Sequence, residues 1–136
     1  MKFLLITLGS TGDIAPFLHL SRELDKRGHD CVLATQAAFE KEAKAYPVTF
    51  IPLFQSEAIN RLDSIMLDIF LLKSGRAIVD YFYDRVFHEL CGLESRLLTM
   101  IDESDCVLAS YLFPFFALFA EKRDKPAKTI SLSHRF

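Results

Sequence analysis

The sequence predicts an α/β fold, a Rossmann-like parallel sheet of about five strands flanked by helices. Three observations predict it. Short apolar runs alternate with amphipathic stretches, the pattern of parallel strands joined by right-handed helical crossovers. The first run, Lys2–Leu8, is apolar on both faces, as a strand in the middle of a parallel sheet must be. It enters a helix through Gly9-Ser10-Thr11-Gly12-Asp13, two glycines and an acid at the carboxyl end of the first strand, where open α/β sheets bind ligands.

The elements follow in order. Ile14–Arg27 reads as the first helix, with Ile14, Phe17, Leu18, Ser21 and Leu24 along one side, Pro16 in its first turn and Gly28 as its stop. Asp30–Thr35 is the second strand. Phe39–Tyr46 is a short charged helix, and Thr49–Leu53 a third strand bounded by Pro47 and Pro52. Two consecutive helices are expected next. Ile59–Ser74 places Leu62, Ile65, Met66, Ile69 and Phe70 at helical spacing, Gly75 breaks it, and Ala77–Ile101 continues with Ile78, Phe82, Val86, Leu90, Leu93, Leu97 and Met100. Cys106–Ser110 is a fourth strand, Phe115–Arg123 a helix after Pro114, and Ala127–Leu132 a fifth strand. No repeat or low-complexity stretch interrupts this order, so residues 1–136 form one expected domain.

Composition narrows the function. With 51% hydrophobic and 25% charged residues the chain can build an ordinary core, and disorder does not describe it. Its net charge of −2, with lysines and arginines scattered among acids, offers no basic surface, so nucleic acid is not an expected partner. Cys31, Cys91 and Cys106 form no paired motif and read as reduced core thiols of a cytoplasmic protein. No apolar run has the length of a transmembrane helix or the layout of a secretory signal. Peripheral contact with the inner face of a membrane stays open. None of His19, His29, His88 and His134 has metal-ligand spacing to a second ligand, so no metal is expected.

The segment Gly9-Ser10-Thr11-Gly12-Asp13-Ile14-Ala15-Pro16, followed by a helix ending in Arg27-Gly28-His29-Asp30-Cys31-Val32, resembles the amino-terminal half of a GT-B glycosyltransferase. The nearest type is the family 28 group with the sterol and antibiotic-aglycone glucosyltransferases; the lipid-linked muramyl-pentapeptide enzyme is more distant. The family pattern G-T/S-x-G-D-x-x-P, then R-G-H-x-V one helix later, has a counterpart here at every element. Ala120-Glu121-Lys122 through Pro126 and the strand end Thr129–Ser133 add weaker likeness.

The resemblance implies one half of a two-domain cleft. The amino-terminal half binds the acceptor, and the carboxyl-terminal half, absent from this chain, carries most of the nucleotide-sugar site. This domain would bind no cofactor of its own, and a UDP- or dTDP-hexose would serve as co-substrate of the full enzyme. The expected reaction moves a hexosyl group to a hydroxyl of a lipid-like or natural-product acceptor, with inversion. Asp13 matches the position of the catalytic base: an acceptor alcohol becomes a competent nucleophile as a carboxylate within hydrogen-bond reach takes its proton. Ser10 and Thr11 would hydrogen-bond sugar or acceptor, and Gly9 and Gly12 would leave room for it. Met66 and Phe113 are the apolar candidates for the acceptor lining.

Plainer readings stand beside these. Asp13 is also well suited to cap the first helix, Gly9 and Gly12 to a tight turn, and the aromatic clusters around Tyr81 and Tyr111 to the core. Two other functions compete. Gly9-x-x-Gly12-x-x-Ala15 approximates a dinucleotide-binding turn, but the second strand ends in Leu33-Ala34-Thr35-Gln36, with no acid to hold a ribose. The other is a non-catalytic binding subunit of a split glycosyltransferase, which recruits its donor-binding partner.

Overall fold

The computed structural model describes residues 1–53, 71–82, 84, 92–111 and 115–132. Strands β1 (Lys2–Ile6), β2 (Asp30–Thr35), β3 (Thr49–Pro52), β4 (Cys106–Ser110) and β5 (Ala127–Ile130) form one sheet in the order β3-β2-β1-β4-β5. All four pairings are parallel. The chain therefore moves one way from β1 to β3, returns to the other side of β1, and continues through β4 to β5. β1 and β4 are neighbours at the reversal, and in open α/β sheets ligands bind beyond the carboxyl ends of the strands at such a point.

Alternation along the central strands sends successive side chains to opposite faces. Leu4, Ile6, Val32, Ala34, Val107 and Ala109 pack with Leu97, Met100 and Ile101 of helix α4 (Glu94–Asp102) and Phe116 and Ala120 of helix α5 (Phe115–Glu121). On the other face Leu5, Cys31 and Leu33 pack with Ile14, Phe17 and Leu18 of helix α1 (Thr11–Asp25) and Ala43 of helix α2 (Glu40–Ala43). Leu5, Ile6, Leu33, Ala34, Val107 and Ala109 are fully buried, the two-sided burial expected of inner parallel strands.

Among the described residues the element order agrees with the sequence, and several boundaries move. α1 begins at Thr11 instead of Ile14, because Ser10 is its N-cap and the first turn includes Gly12. It ends at Asp25 with Gly28 at φ 78°, where the N–H of His29 reaches back to Leu24 O at 3.1 Å. The break expected at Gly75 falls at residues 72–74, and Gly75 opens the next helix: α3 runs Gly75–Phe82, and Ser74 Oγ accepts the N–H of Ala77 at 3.2 Å. The single helix expected over Ala77–Ile101 is not continuous either, since Gly92 and Leu93 form a turn before α4. Glycine's low helix propensity opposes the unbroken apolar spacing there. The expected helix over Ile59–Ser74, with Met66, lies almost wholly outside the described residues, as does Phe113.

Cys31 is buried, and that burial, helped by the charges of Asp25 and Asp30, pushes its thiol up to about 11. It stays protonated near neutrality and acts as a small apolar side chain. Cys106 shifts upward for the same first reason. Among the described residues no helix is long and apolar enough to cross a membrane, and no group of His, Cys, Asp and Glu side chains converges as a metal site would require.

Candidate functional site

The three inner strands end in hydroxyls. Ile6 is level with Ala34 of β2 and Ala109 of β4, so Thr7, Thr35 and Ser110 follow side by side, each fully buried. The core thus turns polar where the first crossover leaves the sheet. Thr7 Oγ1 donates to the carbonyl of Asp13 at 3.3 Å, which ties the end of β1 to the first turn of α1.

Gly9 and Asp13 fit each other. The Asp13 side chain folds back over the loop, and its Oδ2 accepts the N–H of Ser10 at 2.8 Å and the Ser10 hydroxyl at 3.0 Å. This is the returning arm of a capping box, with the acid at the third helical position. Asp13 is therefore not the N-cap that the plainer reading of the sequence suggested; Ser10 is. The carboxylate presses against Gly9, whose φ is 141°, and a Cβ at Gly9 would lie 2.6 Å from Asp13 Cγ and overlap Oδ2. Gly9 is glycine for both reasons. Its room is taken up by a side chain of this protein.

Asp13 is half-buried, and among the described residues no hydrogen bond reaches Oδ1. One oxygen is fixed by the cap and the other is available. That combination suits a proton acceptor, because the anchored oxygen orients the one that reacts.

The remaining expected site residues divide. Gly12 is exposed, and a Cβ there would meet only Ser10 Oγ, at 3.6 Å. Gly12→Ala is thus expected to raise stability by up to about 1 kcal/mol through helix propensity, measured by urea unfolding, while acceptor KM rises if the acceptor uses that space. Thr11 faces elsewhere: with Ile14, Ala15 and Leu18 it lines an apolar pocket of about 310 Å³ against Phe39 and Tyr46. Those four positions share one stripe of α1, and Asp13 projects from a different side. Tyr46 is held there by the Arg22 guanidinium, 4.5 Å from its ring centre, and by His19 edge-on at 5.6 Å.

One residue of the site was not singled out from the sequence as a participant. Gln36, fully buried just beyond β2, donates through Nε2 to Gly9 O at 2.8 Å and accepts the N–H of Gly9 on Oε1 at 3.2 Å. Thr35 Oγ1 donates to the same Oε1 at 2.9 Å. A polar side chain directly after five buried strand residues was the available signal. At the strand end where a dinucleotide-binding domain holds ribose, this protein spends its side chain on its own loop.

Residues 3–95 match the family model for the glycosyltransferase family 28 N-terminal domain. The chain belongs to this family. The likeness to individual family 28 relatives centres on a shorter stretch: over 49 residues the chain is 39% identical to a sterol 3-beta-glucosyltransferase of Pichia angusta, covering 36% of this chain and 4% of that protein. The glycosyltransferase of kitacinnamycin superposes over 97% of this chain and 30% of its own, with TM-score 0.69 and 22% identity. SsfS6 of Streptomyces sp. SF2575, solved with thymidine diphosphate, covers 96% of this chain and 38% of its own, with TM-score 0.67 and 16% identity. At such identities these structures carry the fold, a five-stranded parallel Rossmann-like sheet of GT-B type. The family 28 domain here spans well under half the length of each of these proteins.

Proposed function

We propose that this family 28 domain is the acceptor-binding half of an enzyme that transfers a hexosyl group from a nucleotide-sugar to an acceptor hydroxyl, with Asp13 as the base. The observation that carries the reading is the Oδ1 of half-buried Asp13, which takes no hydrogen bond among the described residues and lies just beyond the carboxyl end of β1, where the sheet reverses direction. In the step, the acceptor oxygen bonds to the anomeric carbon as the carbon–oxygen bond to the nucleoside diphosphate breaks. The hydroxyl proton passes to Oδ1. Attack from the face opposite the leaving group inverts the anomeric centre. The departing diphosphate needs cationic groups or helix amides to stabilise it, and these belong to a donor-binding half outside this chain.

Relatives named for sterols and structures named for antibiotic products support an apolar acceptor, lipid-like or natural product. Thymidine diphosphate in SsfS6 supports a dTDP- or UDP-sugar donor. Ser10 and Gly12 border the acceptor's path in this reading, whereas the room at Gly9 is filled by Asp13 and Thr11 lines the pocket against Phe39 and Tyr46. Met66 and Phe113, outside the described residues, are assigned to the acceptor lining on the resemblance alone. Residues 1–136 act as one domain, without a cofactor or metal of their own. The free thiols of Cys31 and Cys106 fit a reducing cytoplasmic setting, and an apolar acceptor would bring the enzyme to the inner face of a membrane.

The test joins this chain to a donor-binding half and supplies UDP- or dTDP-glucose with a sterol or polyketide alcohol. Transfer by the joined protein, none by the chain alone, and a product anomer opposite to the donor's by NMR are the expected results. Transfer by the chain alone overturns the half-site assignment, and retention of the donor's configuration overturns the single displacement.

A further inference from the structure

We propose that Gln36 is a positioning residue for Asp13, acting through the Gly9 peptide. This rests on Asp13 being the base. The chain of contacts is continuous: Thr35 Oγ1 orients the Gln36 amide, the amide grips both the N–H and the carbonyl of Gly9, and Gly9 forms the surface on which the Asp13 carboxylate lies. Every polar atom of the Gln36 side chain that takes part is buried, so it touches no substrate. Its amide is one of few groups that can satisfy a peptide's donor and acceptor together.

The parallel pairing of β1 with β2 brings this about, setting Ile6 level with Ala34 so that the two strand exits run out together. A shift of the Gly9 peptide would either push the carboxylate off its two Ser10 donors or let it swing. In both cases Oδ1 leaves its place. Gln36 thus acts on turnover and leaves acceptor binding alone.

The test uses three variants. Gln36→Met keeps the size and removes both bonds to Gly9. Gln36→Glu keeps the acceptor but, when ionised, has no donor for the Gly9 carbonyl; protonated, it regains one. Burial raises the introduced carboxyl's pKa, so it regains that proton as pH falls. Thr35→Val, which deletes only the bond to Oε1, is the mild variant should the others fail to fold. In the enzyme carrying this chain with its donor-binding half, Gln36→Glu is expected to lower kcat about 10- to 100-fold at neutral pH, with acceptor KM within about twofold. The ratio of variant to parent kcat recovers toward one as pH falls. Thr35→Val shows a several-fold loss of the same kind, and Leu33→Ala, a core change on the same strand, lowers stability without the kcat loss or the pH-dependent recovery.

An arm independent of catalysis reads the same contacts in the 136-residue chain by NMR. In Gln36→Met and Thr35→Val the resonances of the Gly9 amide and of the Asp13 carboxyl carbon both move. An unmoved Asp13 carboxyl resonance, or a kcat ratio flat with pH, overturns the positioning role. Failure of the base assignment is seen separately, as unchanged turnover in Asp13→Asn, and leaves the NMR arm to judge Gln36 alone.

Discussion

Asp13→Asn is expected to lower sugar transfer by the complete enzyme by about two to four orders of magnitude, with little change in stability. The two effects separate because the two carboxylate oxygens have separate tasks. Ser10 N–H and Ser10 Oγ both donate to Oδ2, and an amide oxygen can take that place and accept both. What the substitution removes is the negative charge beside the amino end of α1, worth about 0.3–1 kcal/mol, and the basicity of the free oxygen. The measurement is kcat with acceptor and donor saturating, beside a urea melt. Turnover within a few-fold of the parent removes Asp13 from the chemistry and leaves it a capping residue.

Gly9→Ala is the second large effect, and it reaches the same carboxylate by displacement. The backbone at φ 141° is unfavourable for alanine, and the new Cβ would overlap the Asp13 carboxylate. Strain at such a position costs about 1–3 kcal/mol, and forcing Asp13 off Ser10 weakens the cap by about 1 kcal/mol more. A stability loss of about 2–4 kcal/mol is therefore expected. Turnover falls about 100-fold, the consequence of moving a reacting group by about 1 Å. A double-mutant cycle separates displacement from general damage: in an Asp13→Asn background Gly9→Ala should subtract little further from kcat, because the two substitutions disable one group. Full additivity would mean that Gly9 serves turnover by another route, such as contact with the acceptor.

Much of this arrangement was legible in advance, at the level of elements. Gly9-Ser10-Thr11-Gly12-Asp13 marks a strand-to-helix turn, and Arg27-Gly28-His29 marks the helix end, because glycine and capping residues act within a few positions of themselves. The same local reasoning misplaced the start of α1. Gly12 and Thr11 are poor helix formers, yet the box between Ser10 and Asp13 draws them into the first turn. The pattern Ser10-x-x-Asp13 was the available sign of it. Gly9 was read for its backbone and for room offered to a ligand. That its missing side chain accommodates Asp13 depends on a rotamer that no spacing reveals. Thr11 was grouped with Asp13 by adjacency, while helix geometry turns it toward Phe39 and Tyr46.

By itself the sequence determined the succession of strands and helices, their two-sided burial and the identity of the residues in the first crossover. Those properties are carried by apolar periodicity and by the backbone limits of glycine and proline, which need no distant partner. Only the tertiary structure decided which oxygen of Asp13 is tied down and that Gln36, 27 positions from Gly9, holds its peptide from both sides. The reason is physical: a parallel sheet joins strands through crossovers, so side chains that meet at neighbouring strand ends are far apart in the chain, and only the pairing register brings them within bonding distance.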